Sequence, residues 1–359
     1  MLKLKKKLLR SIYMKMITLG STGIVSPQNG FGALPIQRDT VETAVLLLRK
    51  AYEGGMTFFD TARLYTDSEE KIGIAFGNMG IRDKIFIATK TPALTPDNFW
   101  KDLETSLHLM KTDYIDIYQF HNPPRAFMPG DGTGMYECML EAKRQGKIRH
   151  IGLTAHALNV AHDCVDSGLY ETLQFPLSYL TGKNELELVI KCAKANMGYI
   201  AMKGLAGGLI TNSAAAFNFM LDFDNVMPIW GIQHEYELDE FLSYMNNPPV
   251  LSEDDLREIE KDKEMLKGGF CRSCGYCMPC PADINIRQAA RMSLMIRRSP
   301  HEQFLTPQWQ ADMAKIDNCI NCGECVKRCP YGLDTPNLLR ANYEDYKKIA
   351  SGEIDVANH

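Results

Sequence analysis

Between residues 29 and 246, short apolar runs alternate with amphipathic segments, and this alternation limits the fold more than any other feature of the chain. The runs at 30–36, 57–61, 85–90, 114–121, 150–155, 172–177, 199–203 and 226–229 have the length and composition of strands. Helical spacing fills the gaps, as at 41–53, 98–110, 136–145, 160–167, 186–195 and 236–245. Strict alternation predicts a parallel sheet, and eight units in a segment of about 250 residues predict a (β/α)8 barrel, the TIM barrel.

After Asn246 the pattern stops. The breaker NNPP, a charged amphipathic stretch at 252–266 with a Ser-x-x-Asp start, and KGG lead into the first of eight cysteines lying between Cys271 and Cys329. The expected organisation is a basic extension at 1–13, the barrel at 14–250, a linker helix with a cysteine-bearing domain at 251–345, and a tail at 346–359. Helical periodicity at 286–297 and no strand pattern predict a small all-helical domain. The solitary Cys138, Cys164 and Cys192 read as small buried hydrophobes on helices.

The two cysteine runs are FCRSCGYCMPCP, with Cys271, Cys274, Cys277 and Cys280, and CINCGECVKRCP, with Cys319, Cys322, Cys325 and Cys329. Two-residue gaps let a loop wind around one [4Fe-4S] cluster, and a later Cys-Pro reaches to a second. Zinc, the competing ligand, takes Cys-x-x-Cys pairs more widely separated within each site. In two-cluster ferredoxins the fourth ligand crosses over. Here that pattern assigns Cys271, Cys274, Cys277 and Cys329 to one cluster and Cys319, Cys322, Cys325 and Cys280 to the other. The first run departs from it, with only Met278 and Pro279 before Cys280. The long helical spacer makes this tail resemble the α-helical ferredoxins.

A net charge of -4 with no basic face excludes broad capture of nucleic acid, and no apolar run is long enough to span a bilayer. The opening MLKLKKKLLRSIY reads as a disordered extension, or as residues ahead of a true start at Met14 or Met16, with a membrane-surface helix as the alternative. The expected location is the cytoplasm, where thiols stay reduced and favour metal over disulfides.

At GGMTFFDTARLYTDSEEKIG, then FIATK, IDIYQFHNP and IGLTAH, the chain resembles the aldo-keto reductases, and the resemblance runs from Met16 to Leu242. It implies a catalytic tetrad of Asp60, Tyr65, Lys90 and His121. Three of these fall at or near the carboxyl ends of strands two to four and Tyr65 on the loop after strand two, the rim where barrel enzymes build active sites. Reducing a carbonyl by hydride needs an acid for the developing alkoxide. Tyr65 would supply the proton, Lys90 would favour its loss, Asp60 would hold Lys90, and His121 would orient the oxygen. Taken singly, each of these residues also has an ordinary structural use, as a cap, an ion pair or a satisfied strand end.

The same resemblance implies NAD(P)(H), with altered contacts. Thr154 and Ala155 stand where the family has a Ser-Asn pair, His156 is a substitute for the missing amide, and Gln174 matches the family's glutamine. Met202 replaces a stacking aromatic, with Lys203 beside it. At Gln233 and His234, followed by Glu235 and Glu237, no Lys or Arg meets a 2′-phosphate, so NAD(H) or a flavin competes with NADP. The reading is an iron–sulfur oxidoreductase acting on a small carbonyl or alcohol, connected to a one-electron carrier such as a ferredoxin. Structural or redox-sensing clusters on a plain carbonyl reductase, and a non-catalytic interaction protein, are the alternatives.

Overall fold

A computed structural model describes residues 14–266, 270–298 and 301–356. The extension expected at 1–13 lies outside the described residues. The chain divides into two compact units, one running through Gly204 and including Ser213–Leu256, the other made of Leu205–Asn212 and the chain from Arg257.

The first unit opens with a hairpin of two short antiparallel strands, β1 (Met16–Thr18) and β2 (Val25–Pro27). Eight parallel strands follow and close a barrel: β3 (Gly30–Gly32), β4 (Phe58–Asp60), β5 (Phe86–Thr91), β6 (Ile115–His121), β7 (Ile148–Thr154), β8 (Thr172–Pro176), β9 (Gly198–Met202) and β10 (Val226–Gly231). These are the eight runs expected from the sequence, with shifted ends. The first stops at Gly32, because Pro35 starts a 3-10 turn, Pro35–Arg38. The seventh stops at Met202, because Lys203 takes a left-handed φ of 62° that ends extended pairing. The seam that closes the barrel is tight. A Cβ on Gly30 or Gly32 would lie 2.8 Å from Pro228 O or 2.9 Å from Trp230 O, so β3 approaches β10 only with glycine at both places.

Helices cover the outside, burying one face each, as in Val41–Glu53, capped by Thr40 and burying Ala44, Leu47, Leu48 and Ala51. The hairpin places Ile17, Leu19 and Ile24 against Phe58, Ala88, Ile117, Ile200 and Met227, an apolar plug among the barrel strands.

Among its described residues the second unit contains helices and loops and no strand. Its core holds Ile284, Ile286, Met292, Met313, Leu339 and Tyr346, with Cys271, Cys277, Cys280, Cys319 and Cys325 packed against it. Three expectations need correction. The division between units falls inside the helix Glu253–Met265, at Leu256, and not at 250. The single helix expected at 286–297 is two, Ile286–Ala289 and Met292–Ile296, interrupted at Ala290 and Arg291. Residue 346 does not begin a tail, since the helix Thr335–Ala350 continues past it and Tyr346, Ile349 and Val356 are buried in the core. The Tyr346 hydroxyl donates to Phe304 O at 2.7 Å.

Candidate active site and iron–sulfur centres

The barrel register sets the first layer of the site. Lys90 pairs with Gln119 across β5 and β6, His121 with Thr154 across β6 and β7, and Thr154 with Gln174 across β7 and β8. The loop after β4 lies along β5, with Thr61 N donating to Ala88 O at 2.8 Å and Arg63 N to Lys90 O at 3.0 Å. That course carries Tyr65 to Lys90, whose Nζ sits 5.1 Å from the Tyr65 ring centre. The His121 ring meets the Tyr65 ring edge-on, with centres 5.8 Å apart. The four tetrad residues therefore converge.

Lys90 Nζ donates to Asp60 Oδ1 at 2.6 Å and to Thr61 O at 2.6 Å, and both side chains are buried. Burial pushes the Asp60 carboxyl up and the Lys90 ammonium down, while the attraction of each charge for the other opposes both shifts. Burial, helped by the Lys90 charge, lowers His121 to about 3, which keeps the ring neutral. Burial, and then the Asp60 carboxylate, push the Tyr65 phenol up. Lys90, beside the Tyr65 ring, is itself paired with Asp60 at 2.6 Å. Asp60 Oδ2 and His121 Nδ1 are buried without a hydrogen-bond partner, polar atoms directed at no protein group.

The expected cofactor residues fall into separate sets. Thr154 and Gln174 are joined through Gln119: Gln119 Nε2 donates to Gln174 Oε1 at 2.9 Å, Thr154 Oγ1 donates to Gln119 Oε1 at 3.1 Å, and Gln174 Nε2 reaches Asp60 Oδ1 at 3.4 Å. Gln119 went unnoticed in the sequence, although it lies two residues before His121 on the same strand face and is a buried polar residue. His156 is buried, its N–H donating to Asn122 Oδ1 at 3.0 Å. Met202 ends β9, and Lys203 follows it in a left-handed backbone conformation.

Gln233 and His234 stand at the start of the helix Glu235–Asn246, but their backbone amides both donate to Glu237 Oε2, at 2.8 and 2.9 Å. The His234 ring stacks on Tyr236. The sequence shows no basic group here, yet the structure supplies one from a distant loop, as Arg38 Nη1 donates to Gln233 Oε1 at 3.4 Å.

In the second unit, the two cysteine runs share one backbone plan. Ser273 and Asn321, each just before the second cysteine, have φ of 53° and 51°, and the glycines after it, Gly275 and Gly323, have 88° and 76°. Such left-handed steps fold each run back on itself and explain the glycines. One cavity is lined by Cys271, Cys274, Cys277 and Cys329, and a second by Cys280, Cys319, Cys322 and Cys325, with Cys277 on its wall. Among the described residues no three His, Cys, Asp or Glu side chains close on a single-ion site. Thiols spread around a cavity suit a multi-iron group. Burial, and then Cys271 and Cys274, push the Cys277 thiol up to about 12. Cys138, Cys164 and Cys192 are buried on barrel helices, away from either set.

A closed parallel barrel with Asp60, Lys90, Tyr65 and His121 gathered at its rim is thus followed by a unit with paired cysteine loops. Residues 28–220 match the Aldo/keto reductase family, over more than half of the chain, and residues 270–334 match the 4Fe-4S dicluster domain. The chain belongs to the aldo/keto reductase family. It is 30% identical over 220 residues to aldo-keto reductase YhdN of Bacillus subtilis, covering 55% of this chain and 64% of that protein. It is 35% identical over 134 residues to methylglyoxal reductase DkgB of Salmonella typhi, covering 36% and 47%. The chain thus spans less than two thirds of these relatives. Its fold matches an aldo-keto reductase of Klebsiella pneumoniae solved in complex with NADPH, with TM-score 0.58 and 21% identity over 69% of this chain and 94% of that one. No helix among the described residues is long and apolar enough to cross a membrane.

Proposed function

We propose that the chain reduces a small carbonyl compound, or oxidises the matching alcohol, with a nicotinamide cofactor, and exchanges electrons with two [4Fe-4S] clusters held by the crossed cysteine sets. The observation that carries this reading is the convergence of Asp60, Tyr65, Lys90 and His121 at the barrel rim. When bound, a nicotinamide supplies hydride, the clusters exchange single electrons, and a flavin-class carrier is needed to convert one currency into the other. Relatives named as reductases support the reductase half.

The chain's own residues do the rest. Tyr65 keeps its proton and donates it to the carbonyl oxygen as the alkoxide develops. Lys90, fixed by Asp60 and Thr61 O with its Nζ 5.1 Å from the Tyr65 ring centre, would offset the charge that builds on the phenol oxygen as the proton leaves. His121, neutral, orients the carbonyl by a hydrogen bond. Gln174 and Thr154 would hold a carboxamide, with Gln119 fixing which end of Gln174 faces Asp60. Arg38 gives a 2′-phosphate a partner at Gln233, so NADP(H) suits the site as well as NAD(H). A soluble one-electron carrier of the ferredoxin kind is the expected partner.

The test is turnover by anaerobically purified protein on a panel of small aldehydes, ketones and alcohols with NADH or NADPH. Tyr65→Phe is expected to lower kcat by about 10²–10⁴-fold with unchanged melting; turnover unaffected by the change would contradict the reading. A second reading has one observation in its favour. Five of the eight cysteines pack against the core of the second unit, as they would if the clusters mainly hold that unit together.

A further inference from the structure

Arg291 is the largest charged side chain buried in the second unit, exposed by only 2%, and it lies where the helix expected at 286–297 breaks. Its Nη2 donates to Gly207 O at 2.7 Å and touches Met295 Sδ at 2.7 Å, while its Nε is buried with no hydrogen-bond partner. No carboxylate is paired with it among the described ion pairs. A guanidinium in such a place is expensive to bury unless a negative group lies close by.

The neighbouring atoms indicate where that group is. A Cβ built on Gly207 would lie 2.9 Å from Arg291 Nη1 and 3.6 Å from Arg272 O, which puts the guanidinium beside the backbone that follows Cys271. Ala290, its neighbour in sequence, lines the cavity of Cys271, Cys274, Cys277 and Cys329. Burial lowers the Arg291 pKa, and the charge of Cys271 works against that shift. Arg272 also lines this cavity, and Arg287 lies close to Gly275 on its wall. Arg272 stacks on Tyr331 at 4.3 Å, and Arg287 Cδ lies 3.2 Å from where a Gly275 Cβ would be, but both are partly exposed and screened. The other cavity is lined by Glu324 and by no Lys or Arg. Lys327 and Arg328 nearby are exposed and tied to Glu324, and the exposed Arg340 to Asn321.

We propose that Arg291 is the buried counter-charge of the cluster bound by Cys271, Cys274, Cys277 and Cys329, and that it raises the reduction potential of that cluster and not of the other. One-electron reduction makes the thiolate-bound group more negative by one charge. An adjacent cation in a poorly screened site favours the reduced form. The inference rests on the two-cluster reading above.

The test is a redox titration of the full-length, anaerobically loaded protein followed by electron paramagnetic resonance, with iron counted in every sample. Two reducible [4Fe-4S] signals in the unaltered protein establish the reading on which the inference stands; their absence would remove that reading and is distinct from the result below. In Arg291→Gln and Arg291→Met, one midpoint is expected to fall by at least tenfold in the reduction equilibrium, about 59 mV for one electron, while the other holds. If one neutral variant fails to retain iron, the other carries the measurement. Arg291→Lys, which keeps the charge, should stay within threefold of the unaltered protein. Midpoints unmoved in a neutral variant, both moved equally, or a tenfold fall in Arg291→Lys would overturn the proposal.

Discussion

Lys90 is tolerated in the barrel because Asp60 lies 2.6 Å away, and removing one partner strands the other. Lys90→Met should therefore cost about 3–5 kcal/mol of stability as well as activity. Adding Asp60→Asn should restore most of the stability and none of the turnover, which a comparison of thermal melts with kcat would show. His121 gives a pH prediction. Burial and the Lys90 charge hold it at about 3, below the usual histidine value of 6.5, so the unfolded chain binds the proton first. The neutral ring contributes its full stability above pH 6.5, and this is lost as pH falls toward 3. His121→Gln should flatten the fall in melting temperature across that window. An equally steep fall in the variant would contradict it. At this scale the tetrad was legible, because strand ends followed by the DTARLY segment mark the rim. Gln119 and Arg38 were not, since one matters through cross-strand register and the other through a contact 195 residues away in sequence.

Among the elements, the eight barrel strands and the helix Val41–Glu53 could be read from periodicity because each combines a clear pattern with a breaker. The hairpin β1–β2 could not, since three-residue strands carry too few positions to show a period of two. Its burial predicts its importance. Leu19 is fully buried and lies against Gly198, where an added Cβ would come within 2.5 Å of its side chain. Leu19→Ala should cost about 2–5 kcal/mol with kcat unchanged, measured by denaturant unfolding. The start of the helix Glu235–Asn246 makes a second element-scale prediction. Glu237 holds the amides of Gln233 and His234, and Arg38 is the cation that reaches Gln233, so discrimination for the 2′-phosphate should come from Arg38. Arg38→Ala should raise KM for NADPH several-fold and leave KM for NADH nearly unchanged. The break at Arg291 was hidden from the sequence because the flanking residues keep helical spacing on both sides of it.

For the whole molecule, composition and cysteine distribution separated a barrel from a cysteine-bearing helical unit, but the placement of Leu205–Asn212 in the second unit had no sequence signal. That unit depends on its cysteines for part of its core, so removing iron with a chelator should lower its unfolding transition and leave the barrel's own transition in place. The central claim joins two-electron chemistry at the rim to one-electron chemistry at the cysteines. Its most direct measurement is cluster absorbance after NADH or NADPH is added to the anaerobic protein of known iron and flavin content, without any external carrier. In protein that retains a flavin to split the hydride's two electrons, the account predicts that the clusters bleach, that a carbonyl substrate slows the bleaching by competing for hydride, and that Tyr65→Phe removes this competition. Clusters that stay oxidised throughout active carbonyl turnover would contradict it.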